Sequence, residues 1–371
     1  MTRRPKKLCM VIPTHWSFTM GGAEYQAKCL MERLVSRGDL DLYYVAKFIA
    51  PKHRPEGYRL VPVGDPCGKG RYLHCLDAPD LYRALDAISP DVIFQHHGCA
   101  YTGIASFYAG RRRRRMVWHV ASDRDVTPMG GLQHLRQVPE YIDKLLVEYA
   151  IRHAQVVTVQ TLNQWHSLVR HYGRVPDAVV RNFHPVPRDR GVCKSEPVKV
   201  VWVANFKPLK QPEVFVRLAR DLAYLEKPVR FFMAGAPASW DEEWQSQIES
   251  EIEKTPNLEY LGLLPMDEVN ALLARSHLLV NTSTYEGFPN TFIQAWMRGV
   301  PVVSLHVDPD GILDEHGLGL CAGTYERFVS AVRALITDPS RREEMGRKAR
   351  EYALREYSET NMEELIRLLL Q

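Results

Sequence analysis

This chain has no long apolar run, no patterned cysteines and no large excess of charge, and each lack removes a class of protein. The apolar run nearest the N-terminus covers only residues 8–12 and is ended by Pro13, Thr14 and His15. That is too short for a membrane span or a signal-peptide core, so it reads as a first buried strand. The seven cysteines (Cys9, Cys29, Cys67, Cys75, Cys99, Cys193, Cys321) are scattered, and none forms a Cys-x-x-Cys pair. An odd, unpatterned set argues for reduced thiols in a cytoplasmic setting, against a disulfide frame or a zinc site. The formal net charge of +4 gives no reason to expect a nucleic-acid partner. No internal repeat is evident, and the one biased segment is Arg111, Arg112, Arg113, Arg114 and Arg115. What remains is a globular chain of 371 residues, 45% hydrophobic and 25% charged, long enough for two domains.

Short apolar runs at 8–12, 42–45, 92–94, 116–120 and 155–159 alternate with helical spacing at 23–34, 79–88, 139–152 and 161–172. A second series has strands at 198–203, 229–234, 258–261, 278–281 and 301–305, with helices at 210–224, 241–253, 267–275 and 291–298. Between them, 185–197 is rich in proline and charge and reads as a linker. Strand–helix alternation predicts parallel sheets covered on both faces. The expected organisation is an α/β chain of two doubly wound, Rossmann-like domains facing across a cleft, with ligands at the carboxyl ends of the strands. Its parts are 1–187, a linker at 188–196, 197–355, and a last helix at 356–371 that packs back on the first domain.

Four stretches after predicted strands carry candidate chemistry. In the first, Glu286, Gly287, Phe288, Pro289, Asn290, Thr291 and Gln294 follow the 278–281 strand. Gly287 permits a turn, and Asn290 is a good N-cap. The N–H groups of Thr291 and Phe292 would then be free to meet a phosphate. Glu286 suits a sugar hydroxyl, and Gln294 lies within reach of a ribose. The bland reading is a capped core helix beside a solvated glutamate. In the second, Gly21 and Gly22 at a strand–loop–helix junction allow close approach of a diphosphate or sugar, or form a plain turn. In the third, Asn205, Lys207 and Lys210 follow the 198–203 strand, and two lysines beside a cleft would neutralise a diphosphate unless both are merely solvated. In the fourth, His119 ends a strand, as many structural histidines do. Asp123-Arg124-Asp125 and Asp308-Pro309-Asp310 look like metal-binding pairs but are common by chance. The five arginines read as a solvated helix end, or as a contact for anionic lipid headgroups.

The run from Glu286 to Pro289, continuing through Gln294-Ala295 to Gly299-Val300-Pro301-Val302-Val303, resembles the signature of glycosyltransferase family 4, whose members are retaining enzymes with the GT-B fold. The resemblance implies that Glu286 holds the donor sugar and that Gln294 stands where the family has a ribose-binding Glu. A glutamine there keeps hydrogen bonds but loses charge. It also implies that Lys210 is the family's diphosphate lysine. Ala204 falls at the usual arginine position, and Lys207 is its nearest substitute. Gly21-Gly22 matches the family's glycine pair, and His119 its histidine near the donor sugar.

The implied reaction moves a sugar from a UDP- or GDP-type donor to an acceptor hydroxyl, with His119, Lys210 and Glu286 as catalytic residues. No metal or other cofactor is expected. The acceptor is a glycan, a lipid-linked molecule or a small molecule, read by loops near 14–20, 64–76 and 124–138. The setting is cytoplasmic, with peripheral membrane contact through the arginines. Two alternatives stand beside it, a nucleotide-sugar 2-epimerase and a degenerate, non-catalytic sugar-nucleotide-binding protein.

Overall fold

A computed structural model describes residues 4–68, 72–129, 138–187, 194–238 and 241–371. Parts of the 64–76 and 124–138 loops, and of the linker, lie outside the described residues. The chain divides into two compact units, one of Met1–Asn182 with Thr360–Gln371 and one of Phe183–Glu359.

In chain order the first unit has β1 (Lys6–Val11), α1 (Gly22–Arg37), β2 (Leu40–Ala46), β3 (Arg59–Pro62), α2 (Ala78–Ile88), β4 (Val92–His96), α3 (Ala100–Arg112), β5 (Arg115–His119), α4 (Asp123–Val126), α5 (Val138–His153), β6 (Val156–Val159), α6 (Leu162–Tyr172) and β7 (Ala178–Val179). The second has β8 (Val198–Val203), α7 (Pro212–Asp221), β9 (Val229–Ala234), α8 (Glu242–Glu253), β10 (Leu258–Tyr260), α9 (Met266–Arg275), β11 (Leu278–Asn281), α10 (Asn290–Trp296), β12 (Val302–Ser304), α11 (Ile312–Glu315), β13 (Gly319–Cys321), α12 (Tyr325–Thr337) and α13 (Pro339–Glu356). The last helix, α14 (Thr360–Leu370), belongs to the first unit.

Each unit has a parallel sheet, ordered β3-β2-β1-β4-β5-β6-β7 in the first and β10-β9-β8-β11-β12-β13 in the second. The central strands are largely apolar because helices cover both faces, and β4 and β11 are buried at every position, including Gln95, His96 and Asn281 at their ends. In both sheets the strand order reverses at the first strand, between β1 and β4 and between β8 and β11. Open α/β sheets bind ligands at the carboxyl ends of such a pair.

Six elements escaped the sequence, among them α4 and α11, each of only four residues. β3, β7 and β13 are short edge strands, with too few residues to show a period. α3 is buried nearly all round, so it has no polar face to mark a helical repeat. Its Gly103 lies against α5, where an added Cβ would sit 2.4 Å from the Leu146 carbonyl oxygen.

The five arginines are not a solvated run. Arg111, Arg112 and Arg113 are exposed, but Arg114 reaches Ser89 Oγ (2.9 Å) and Asp91 (3.5 Å). Arg115 begins β5 and donates to the Leu368 carbonyl (2.9 Å), while Lys6 donates to the Leu370 carbonyl (2.9 Å). Two cations thus meet the final carbonyls of α14, the end of a helix that favours positive charge. Among the described residues, no helix is long and apolar enough to cross a membrane.

Candidate active site

The second unit brings two predicted catalytic residues into contact, and the backbone shows how. After β8, Ala204 and Phe206 donate to the carbonyls of Ala234 (3.0 Å) and Ala236 (2.9 Å), and Asn205 Oδ1 accepts from the Ala236 N–H (3.0 Å). The loops after β8 and β9 therefore lie flush. Gly235 adopts φ 158°, and a Cβ there would fall 1.7 Å from the Ala204 carbonyl oxygen, so only glycine fits. Asn205 spends its side-chain oxygen on this junction, so that oxygen braces the loop.

Lys207 then enters a single 3₁₀ turn, Pro208–Lys210, and is exposed. Gln211 ends the turn in the left-handed region (φ 46°, ψ 57°) and opens α7. The turn is stitched to the loop after β11. Thr282 Oγ1 donates to the Lys210 carbonyl (2.6 Å) and accepts from Trp202 Nε1 (2.8 Å), and Thr284 N–H donates to the Leu209 carbonyl (2.9 Å). These bonds set the base of the Lys210 side chain. Its ammonium lies 2.8 Å from Glu286 Oε2, with the two side chains 20% and 16% exposed. The other carboxylate oxygen, Oε1, accepts from Ser283 Oγ (2.6 Å) and Asn281 Nδ2 (3.0 Å). Glu286 is thus an oriented carboxylate held on three sides, not the solvated glutamate of the bland reading.

The rest of the signature differs from expectation. Pro289, not Asn290, occupies the N-cap of α10, with no side-chain cap bond. Phe292 N–H is not free, because it donates to the Pro289 carbonyl (3.0 Å). Gly287 is buried and is not among the described glycines with positive φ. Phe288 packs its ring on Tyr357 (centroids 4.8 Å apart) and so anchors the loop in the core. Gln294 is 3% exposed, and its amide nitrogen reaches Asn270 Oδ1 (3.2 Å) and Met266 Sδ (2.9 Å). It ties α10 to α9. Thr291 is half-buried in the first turn of α10.

In the first unit, His119 ends β5 as expected, and it is 3% exposed. Its Nδ1 is 2.8 Å from Thr158 Oγ1, and its ring stacks on His96 at 4.9 Å and 14°. Burial pushes the imidazole down to about 3, so it is neutral at ordinary pH. Gly21 is the N-cap of α1 in extended backbone, with Gly22 the first helical residue. A Cβ on Gly21 would come within 2.6 Å of Glu24 Oε2, the movable end of a side chain, so glycine is not sterically demanded there.

One member of each acidic pair serves the backbone. Asp125 Oδ2 accepts from the N–H groups of Gly98 (3.0 Å), Ala121 (3.2 Å) and Ser122 (3.1 Å). Asp308 Oδ1 accepts from Leu313 N–H (2.9 Å). Among the described residues, no group of three acidic, His or Cys side chains has the geometry of a metal site.

Sequence reasoning missed Asn281, Thr282 and Ser283, which fix Glu286 and Lys210, and also His96 and Thr158 beside His119. The usable signal was position: all five lie at or just past the carboxyl ends of core strands.

Comparisons with known proteins bear on the family and the fold. Residues 188–352 match the family described as Glycosyl transferases group 1. The D-inositol 3-phosphate glycosyltransferase of Corynebacterium diphtheriae is 24% identical over 237 residues, 57% of this chain and 54% of its own length. The matched stretches span about half the length of such curated relatives. Among solved structures, the sucrose-phosphate synthase of Thermosynechococcus elongatus superimposes with a TM-score of 0.80 at 14% identity, covering 98% of this chain and 99% of its own. HepE of Anabaena, solved in complex with UDP and glucose, gives a TM-score of 0.75 at 17% identity, covering 98% and 99%. Residues 188–352 thus form a domain similar to the group 1 glycosyltransferases, and the chain as a whole shares the GT-B fold of these solved neighbours.

Proposed function

We propose that this protein transfers a sugar from a UDP- or GDP-linked donor to an acceptor hydroxyl, with retention at the anomeric carbon. The observation that carries the reading is the Lys210–Glu286 pair, 2.8 Å apart at the carboxyl ends of β8 and β11. As the bond from the anomeric carbon to the phosphate oxygen breaks, charge grows on the diphosphate. A preoriented ammonium lowers the energy of that charge more than that of the ground state. Lys210 is that ammonium, and Lys207, one turn earlier and exposed, adds a second positive charge. Glu286 accepts hydrogen bonds from sugar hydroxyls and holds Lys210 extended. Backbone at Gly287, Pro289, Asn290 and Thr291 lies beside the donor, and Gln294 supports it through α9.

In the first unit, His119 accepts a hydrogen bond from the sugar, and Gly21 and Gly22 allow backbone to approach it. No covalent nucleophile is assigned. The acceptor oxygen bonds to the anomeric carbon on the face the phosphate leaves, and the departing phosphate oxygen takes the acceptor's proton. No metal is assigned either; Asp125 and Asp308 accept hydrogen bonds from peptide N–H groups. The complex of HepE with UDP and glucose favours a UDP donor. The acceptor is a glycan, a lipid-linked molecule or a small molecule. Exposed Phe18 and Tyr72, both tilted against Phe48 (centroids 5.5 and 5.9 Å), offer apolar ring faces suited to a sugar ring. Exposed Arg111, Arg112 and Arg113 support peripheral contact with an anionic membrane, and vesicles with and without anionic lipid test it.

A thermal-shift screen of UDP- and GDP-sugars tests the donor, since a ligand of the native state raises its melting point. NMR of the products then separates transfer or hydrolysis, which release nucleoside diphosphate, from 2-epimerisation, which does not. If no nucleotide-sugar shifts the melting point and no diphosphate is released, the reading fails.

A further inference from the structure

The surroundings of His119 specify more than its position. β4, β5 and β6 are adjacent and parallel, and their register sets His96 beside His119 and His119 beside Thr158. One flank of the imidazole is covered by the His96 ring, and the other faces the Thr158 hydroxyl at 2.8 Å from Nδ1. That hydroxyl also lies 3.5 Å from the Trp118 carbonyl oxygen. A carbonyl can only accept, so the single Thr158 proton satisfies Trp118 only when the oxygen's lone pair is left for His119. Both contacts are satisfied together only when His119 carries its proton on Nδ1. The same reasoning applies to His96, whose Nδ1 is 3.1 Å from the His119 carbonyl oxygen and must donate to it. Two stacked neutral rings result, and burial opposes the addition of a proton to either.

We propose that Thr158 is a positioning residue whose hydroxyl locks His119 as the Nδ1–H tautomer, leaving Nε2 as a pure hydrogen-bond acceptor for a substrate hydroxyl and not for an anionic oxygen. The protonation of one imidazole nitrogen is set by the partner of the other. His119 is therefore not a proton donor in the reaction. A donor sugar with a hydroxyl at the position it meets is accepted, and one with a carboxylate there is disfavoured. That the hydroxyl belongs to a sugar rests on the function proposed above, but the tautomer does not.

The test uses the full chain labelled with ¹⁵N-histidine, and the His119→Gln variant identifies the His119 signals. In the wild type, Nδ1 should show the shift of a protonated nitrogen and Nε2 that of a bare one. Thr158→Val, which keeps the shape and removes the hydroxyl, should mix or reverse the tautomers, and Thr158→Ser should restore them. With whichever UDP- or GDP-sugar the wild type turns over, Thr158→Val should lower kcat by roughly tenfold or more, the scale on which outer partners of a functional imidazole act, and Thr158→Ser should recover it. A wild-type His119 protonated on Nε2, or an unchanged tautomer in Thr158→Val, overturns the proposal, as does full turnover in Thr158→Val after its tautomer has changed. Should no nucleotide-sugar be turned over, the function above fails, and the ¹⁵N shifts still decide this proposal.

Discussion

The two units have the same parallel architecture, yet they assemble their polar groups differently. In the second, Lys210, Asn281, Thr282, Ser283 and Glu286 come from two short stretches of chain after neighbouring strands, and Glu286 is bonded to residues three and five positions before it. In the first, the groups come from strands far apart in sequence. His96, His119 and Thr158 meet across three strands, and buried Lys47, after β2, pairs with Asp77 (2.9 Å), which also accepts from Tyr101 (2.8 Å). The second unit thus presents partly exposed, locally built charge suited to an anionic ligand. The first encloses ionic and neutral polar groups whose arrangement depends on the whole sheet.

The largest effect should separate these two kinds of charge. Lys47→Met leaves Asp77 buried beside Tyr101 without its cation, a loss of about 3–5 kcal/mol in unfolding experiments. Lys210→Ala should leave the melting point nearly unchanged, because its pair is partly exposed, but cut turnover by about 10²–10³-fold. Equal stability losses in the two variants would erase the contrast.

Acid should act next, and mainly on the first unit. Burial lowers His15 and His119 to about 3 and His74 to about 4, and takes His96 well below its usual value. Between the ordinary histidine value and these, the unfolded chain binds protons that the folded one refuses. Stability therefore falls as pH drops below 6.5, by up to about 1.4 kcal/mol per unit for each such histidine. Asp143, raised to about 6 by burial, and Asp125, raised by burial, act in the opposite sense, since the folded chain then holds the extra proton. In the second unit only His184 and His277, both lowered to about 4, act in the first sense, and Glu213 and Asp308, both raised, act against them, so the balance tips less toward acid loss there. Hydrogen exchange at pH 7 and pH 5 should show protection lost first in the first unit, and uniform loss would refute the balance.

Two smaller tests stay within the second unit. Gln294→Glu puts a charge beside Asn270 and gives up the amide donor, so donor affinity should weaken by no more than about tenfold, the worth of one hydrogen bond. Tighter binding, measured by calorimetry, would return Gln294 to the ribose. Gln211→Gly relieves a left-handed residue and should raise stability by about 1 kcal/mol, offset in part by the entropy of glycine. Turnover within twofold of wild type would show that the turn holds Lys210 without that strain.

The comparison also shows what the sequence could and could not reveal. Three strands of the second sheet, at 198–203, 229–234 and 278–281, matched expectation residue for residue, because largely buried strands are mostly apolar runs with abrupt ends. Glu286 and Lys210 were legible because their motifs follow such strands directly. Their 2.8 Å contact was not, since it depends on Thr282 and Thr284 pinning the turn at 208–210. The arginine run was misread for a related reason. Five identical residues look equally solvated in a string, whereas β5 and the end of α14 draw Arg115 inward.

The string of residues by itself determined the alternation of strand and helix, the parallel sheets and the presence of an acid and a lysine at the ends of core strands. All of these follow from local periodicity and from which side chains avoid water. Only the tertiary structure decided which polar atoms touch, which way Gln294 and Asn205 turn, and which hydroxyl meets Nδ1 of His119. Those depend on register between strands dozens of residues apart, and a hydrogen bond is made or lost within less than an ångström.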